Sequence, residues 1–174
     1  MTLERGVAER PERATPGYEL LAKMLADKEQ NAVGRLFRLL GLVYPAEEFH
    51  SIYRSLRSDS KEDRSNGLEL IENILRPPLR GAVSALMDDM PDEARMAAGS
   101  AFHKPLNLGY EELLESMLSS SSDTVQDLTA YHIGELRLVQ FRDKVASLAD
   151  AANDQRNDLP RVVELLSNPG VEPP

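Results

Sequence analysis

Cysteine and tryptophan are both missing from this chain. Without a thiol there is no disulfide, no zinc–thiolate centre and no cysteine nucleophile, a pattern that suits a reducing cytosol. Aromatic residues make up only 5%. A core must therefore be assembled mainly from Leu, Ile, Val, Met and Ala, which suits helices better than a β-sandwich. Nor is there an apolar run long enough to span a bilayer. The oiliest stretch, NAVGRLFRLLGLVYP at 31–45, is too short and is interrupted by Arg35 and Arg38. The opening MTLERGVAERPERATP is charged from Glu4 onward and lacks the apolar centre of a signal peptide.

What is present fits a globular domain. The 174 residues are enough to bury a core without metal or disulfide staples, and 41% hydrophobic with 28% charged residues is ordinary for a folded protein. The formal charge of −9 is unevenly placed. Residues 1–60 carry nine basic and nine acidic side chains, whereas 61–174 carry eleven and twenty. Such a field repels phosphate backbones, so nucleic acid is not an expected partner.

The apolar residues repeat at helical spacing almost everywhere, and no run alternates with period two. Residues 1–16 lack periodicity and contain Pro11 and Pro16, so they are expected as a loose tail, as is the ending SNPGVEPP at 167–174. Between them, 17–166 reads as one helical domain. Tyr18, Leu21 and Leu25 form the face of a short first helix, and Val33, Leu36, Phe37, Leu40 and Tyr44 that of a second. Pro45 is placed in the first turn of a third, with Phe49, Ile52, Tyr53 and Leu56 inward. Ser60 and Asp63 look like a cap and its acidic partner, and Pro77 with Pro78 ends that helix. A helix from Asp92 to His103 is expected to turn Ala94, Ala97, Ala98, Ala101 and Phe102 inward. Tyr110, Leu113, Leu114 and Met117 mark another, Val125, Leu128, His132, Ile133 and Leu136 a long one, and Val145, Leu148 and Ala152 the next. Asp158 is a candidate cap for a last helix burying Val162, Val163 and Leu166.

An internal echo indicates how these helices are organised. LRSDSKEDRSNGLELIENIL (56–75) and MLSSSSDTVQDLTAYHIGEL (117–136) align without a gap. Each closes one helix, passes through a Ser/Asp turn and runs about a dozen helical positions. Short connections force neighbours antiparallel, and self-similar helix–turn–helix units are the mark of a repeat array. The expected fold is all-α, with antiparallel helix pairs stacked as a short solenoid.

The second unit resembles a HEAT repeat, through LSSSSDTVQDLTAYHIGEL and its closing IGEL phrase. Residues 31–89, through RLFRLLGLVYP, YRSLRS and NGLELIENIL, resemble the soluble HEAT-like domain of bacterial proteins related to ADP/ATP-translocase-type nucleotide carriers. The resemblance implies a cytosolic domain of a larger membrane protein or a freestanding relative. The chain departs from those carriers in having no transmembrane helix of its own.

Candidate chemistry is sparse. Glu47-x-x-His50 has the spacing of a di-metal carboxylate motif but lacks a matching second motif; His132-x-x-Glu135 runs in reverse order. Helix-end electrostatics account for Glu47 and Glu48, a satisfied core position for His132, and a helix C-terminus for His103. Ser119–Ser122 has no base beside it and reads as a capped turn. Gly34 and Gly41, seven apart, suit close helix packing and not phosphate binding. No catalytic residue, cofactor or metal is therefore expected. Arg35, Arg38, Arg54 and Arg57 lie on two successive helices; if these converge, they form a docking point for an acidic protein or lipid headgroups, against the alternative of snorkelling beside acidic neighbours.

The expected function is a non-catalytic interaction scaffold that binds a protein partner or another domain of its parent, in the cytoplasm or at the cytosolic face of a membrane protein. A regulatory domain of a nucleotide-carrier-like protein is the narrower form. The alternative, a DNA glycosylase of HEAT-like fold, needs a basic groove with aromatics, which −9 and the lack of Trp disfavour.

Overall fold

A computed structural model describes residues 3–104, 108–152, 156 and 158–168. Among these the chain is all-helical, without a strand. The α-helices are α1 (Leu3–Glu9), α2 (Pro16–Val43), α3 (Phe49–Leu56), α4 (Lys61–Ile74), α5 (Leu79–Met87), α6 (Asp92–Gly99), α7 (Tyr110–Leu118), α8 (Asp123–Glu135), α9 (Arg142–Ala151) and α10 (Asp158–Ser167). Single 3-10 turns occupy Pro11–Arg13 and Val139–Phe141.

Contacts divide the chain into two compact units. The first comprises 1–27 and 107–174. In it α7 packs on α8, α8 and α9 pack on α10, and α1 lies on α7. Its core is built on Leu21, Leu114, Ile133, Val145, Leu159 and Val162. The second unit, 28–106, contains the remainder of α2 and α3 to α6. Its core is Phe37, Leu40, Phe49, Ile52, Leu56, Ile71, Leu75 and Val83. Phe37 stacks against Tyr53 with ring centroids 4.8 Å apart, and Tyr44 and Phe37 flank Phe49 at 5.8 and 6.3 Å.

Several boundaries differ from those read in the sequence. The first two expected helices are one, α2, because Asp27 to Ala32 holds no Pro or Gly to stop propagation between the two apolar faces. Its start carries a signal that the tail reading passed over: Thr15 Oγ1 accepts from the Tyr18 amide at 3.2 Å, with Pro16 at the first helical position. The stretch expected as a loose tail contains α1, where Leu3 and Gly6 are buried. Pro45 is not inside a helical turn; residues 45–47 bend ahead of α3, with the Glu47 amide donating to Tyr44 O at 3.0 Å. The expected inward face of α6 is absent. None of its residues is buried, and Phe102 lies beyond its end, 58% exposed. An alanine face offers too little apolar area to draw a helix into a core.

Other local expectations hold. Ser60 caps α4, its Oγ accepting from the Asp63 amide at 3.2 Å. Helix α8 ends at Glu135 with Leu136 as its C-cap, after which Arg137 takes a left-handed conformation (φ 51°). The Leu138 amide then donates to Ile133 O at 3.1 Å and the Arg137 amide to Gly134 O at 3.0 Å, a Schellman closure without glycine. Asp158, expected as the cap of the last helix, is instead the first residue of α10, and the cap position before it falls outside the described residues. So do residues 169–174 of the expected second tail.

Candidate functional site

The four arginines singled out by sequence lie in the second unit, on α2 and at α3. Arg54 and Arg57 share a shallow concavity of about 520 Å³ with His50 and Tyr53. His50, Arg54 and Arg57 follow at i, i+4 and i+7, opposite the buried Phe49, Ile52 and Leu56. Arg54 Nη2 donates to His50 Nε2 at 3.1 Å. Arg57 donates to Tyr53 OH at 3.1 Å and to Gln30 Oε1 of α2 at 3.4 Å. On α2, Arg35 Nε reaches only the carbonyl of Asn31, at 3.4 Å. Arg35 and Arg38 do not line the concavity.

Asp59 is the acidic side chain that lines the same concavity as Arg54 and Arg57. Among the described residues Arg95 pairs with Glu29 and Asp92, Arg142 with Asp143, Lys144 with Glu115, and Arg156 with Asp123 and Asp127. No described carboxylate pairs with Arg35, Arg38, Arg54 or Arg57. Beside Arg35 and Arg38, Leu39, Leu42 and Val43 are 59%, 78% and 68% exposed. Gly34 and Gly41 face the partner helix as their spacing predicted: a β-carbon at either would lie 3.7 Å from Tyr53 OH or Phe49 Cβ.

A second polar cluster lies in the first unit, around His132. The ring is wholly buried. Its Nε2 is 2.6 Å from Tyr110 OH and its Nδ1 2.8 Å from Thr15 Oγ1. A neutral imidazole satisfies both hydroxyls, donating from one nitrogen and accepting at the other. Glu135 Oε2 lies 3.9 Å from Nδ1 but already accepts from the Gly17 amide at 2.9 Å. Arg13 closes the cluster, its guanidinium 3.8 Å above the Tyr110 ring while Nη1 donates to Gly6 O at 2.9 Å. Burial, reinforced by the Arg13 charge, lowers the His132 pKa to about 4, and burial raises Tyr110 to about 12 against the opposing pull of Arg13.

Sequence periodicity placed His132 on the apolar stripe but missed its partners Thr15 and Arg13, assigned to the tail. The Thr15–Pro16 cap pattern is the signal that would have found Thr15. Two glycines permit the close approach. A β-carbon on Gly6 would lie 2.1 Å from Tyr110 Cδ2, and one on Gly17 2.5 Å from Glu135 Oε2.

The remaining candidates are dispersed. Glu47 lies in the turn ahead of α3 and His50 within the helix, so they do not share a helical face. His103 is exposed and lies past the end of α6. Ser119–Ser122 forms the α7–α8 turn, where Ser120 Oγ accepts from the Ser122 amide at 3.2 Å. Among the described residues no group of three His, Asp or Glu side chains is placed to hold a metal ion, and no helix is long and apolar enough to cross a membrane. Comparison with family models, curated proteins and solved structures returned no match for the chain. The fold thus defines the protein only as all-helical.

Proposed function

We propose that the protein is a non-catalytic interaction module, a short HEAT-like solenoid whose α2–α3 surface engages a protein partner or another domain of a longer chain. The observation that carries this reading is the row Leu39, Leu42 and Val43, solvent-exposed on a helix whose opposite face is fully used by Phe37 and Leu40. Exposed apolar side chains grouped beside charge mark interaction surfaces. The repeat reading is supported by the two echoed segments. Both fold as helix end, Ser-containing turn and helix, and both end with a leucine C-cap at corresponding positions, Leu75 and Leu136.

The experiment is site-specific photo-crosslinking in the cells that produce the protein. A photoreactive residue at position 42 is compared with one at Gly81, which is exposed and has nothing near it. A discrete adduct from position 42 alone is expected. Equal or absent adducts from both sites would remove the basis for the module. The narrower reading, a regulatory domain of a nucleotide-carrier-like membrane protein, rests on the phrases in 31–89; a flanking reading frame without membrane helices would remove it.

A further inference from the structure

We infer that the α2–α3 face is built for an acidic, amphipathic helical segment of a partner protein, an inference that rests on the interaction-module reading and names the partner's chemistry. At about 100° per residue, Gln30, Gly34, Phe37 and Gly41 form the row of α2 that meets α3. Arg38 projects from the next row outward, and Arg35 and Leu42 from the row beyond. Leu39 and Val43 complete the exposed face. On α3 and at its end, His50, Arg54 and Arg57 form one row. The pair therefore carries four exposed arginines and, on α2, an exposed apolar strip.

The sign of the partner follows from what surrounds these groups. From Asn31 to Val43 there is no acidic residue, nor any from Phe49 to Ser58, in a chain of net charge −9; Asp59, which lines the concavity with Arg54 and Arg57, forms no described ion pair with either. The guanidinium groups of Arg35, Arg54 and Arg57 are held by a backbone carbonyl, an imidazole, a phenol and an amide, and none by a described carboxylate. A carboxylate-bearing partner would supply the missing charge, and charge-assisted, bidentate hydrogen bonds to arginine would fix its orientation. The shape favours a helix. No described strand edge is available for an added β-strand, whereas Leu39 and Leu42 are one turn apart, the spacing that a second helix interdigitates. An anionic bilayer fits less well: a plane of headgroups seated on Leu39, Leu42 and Val43 would also meet the exposed Glu47 and Glu48, four and five residues beyond Val43, whereas a single acidic helix is narrow enough to lie beside them.

The test uses the full chain and a fluorescent synthetic helical peptide with Leu at i, i+4 and i+7 flanked by Glu, read by anisotropy. Controls are the same peptide with Lys for Glu, and phosphatidylserine vesicles. Binding is expected for the Glu peptide alone. It should weaken at least about tenfold for Arg35→Glu/Arg38→Glu and for Arg54→Glu/Arg57→Glu, and severalfold on raising salt from about 50 to about 500 mM. All four arginines are exposed, so unchanged circular dichroism and melting would show that the variants are folded. Failure of the Glu peptide to bind, equal binding of the Lys peptide, binding indifferent to the arginine substitutions, or arginine-dependent capture by vesicles instead would each overturn the inference. A crosslinked adduct at position 42 that survives Arg35→Glu/Arg38→Glu overturns the acidic partner while leaving the interaction module standing.

Discussion

Acid should weaken the first unit through a single buried side chain. His132 is neutral, fully buried and hydrogen-bonded at both ring nitrogens in the folded chain, which takes up its proton only near pH 4; an unfolded chain takes it up at 6.5. Because the unfolded state binds the proton first, stability is unaffected above 6.5, falls as the pH drops through that window, and has lost the whole contribution by about 4. The gap multiplied by 1.36 kcal/mol per pH unit gives about 3 kcal/mol in all, and about 2 kcal/mol by pH 5. These are large fractions of the 5–15 kcal/mol typical of a domain.

The assay is urea denaturation followed by circular dichroism at several pH values from 7.5 down to 4.5. His132→Gln serves as the reference that shares every other titration. The variant should be less stable at neutral pH, because it removes the ring that satisfies Thr15 and Tyr110, but its stability should fall less steeply with acid. Parallel pH profiles for the two proteins, or an NMR titration placing the His132 midpoint near 6.5, would refute the reasoning.

Gly6→Ala should cost about 1–3 kcal/mol, because its β-carbon would press on the Tyr110 ring, and hydrogen exchange should speed up selectively over α1; unchanged exchange would count against α1 as a packed element. Ser60→Ala removes the α4 cap and should cost about 1 kcal/mol in thermal or urea unfolding, with no effect pointing to a helix start elsewhere. Phe49→Ala, at a core position 1% exposed, should cost about 3–5 kcal/mol. Phe102→Ala should stay within about 0.5 kcal/mol, and a large loss there would restore the inward face once expected of α6. Leu42→Ser should likewise leave stability within about 0.5 kcal/mol while abolishing the position-dependent adduct formed by neighbouring crosslinkers.

Much of this architecture is local and therefore readable in one dimension. Leu114, Val125, Ile133 and Val145 recur at helical spacing because a helix must turn one face to a core, and they are buried. Ser60 announces a helix start because its hydroxyl serves amides three residues away. The same logic misled where pattern outran driving force. The alanines of 94–101 keep helical spacing but supply too little apolar area to be drawn in. The two faces at 21–25 and 33–44 looked like two helices because periodicity reports faces, not continuity. Within the candidate surface, composition isolated Arg35, Arg38, Arg54 and Arg57 as a basic group in a neutral third of the chain. It was silent on whether carboxylates neutralise them.

Helical class, most helix starts and the inward stripes follow from local chemistry that residues within a few positions of each other decide. The contacts that matter most for this protein join residues far apart. Thr15 and His132 are separated by 117 positions, and Gly17 and Glu135 by 118. Gln30 and Arg57 are 27 positions apart. No periodicity encodes such pairings, because they arise only when packed helices bring distant polar groups out of water and oblige each to find a partner. That requirement turned a stretch read as tail into part of a buried cluster, and left four arginines at the surface of an acidic protein without a described carboxylate to neutralise them.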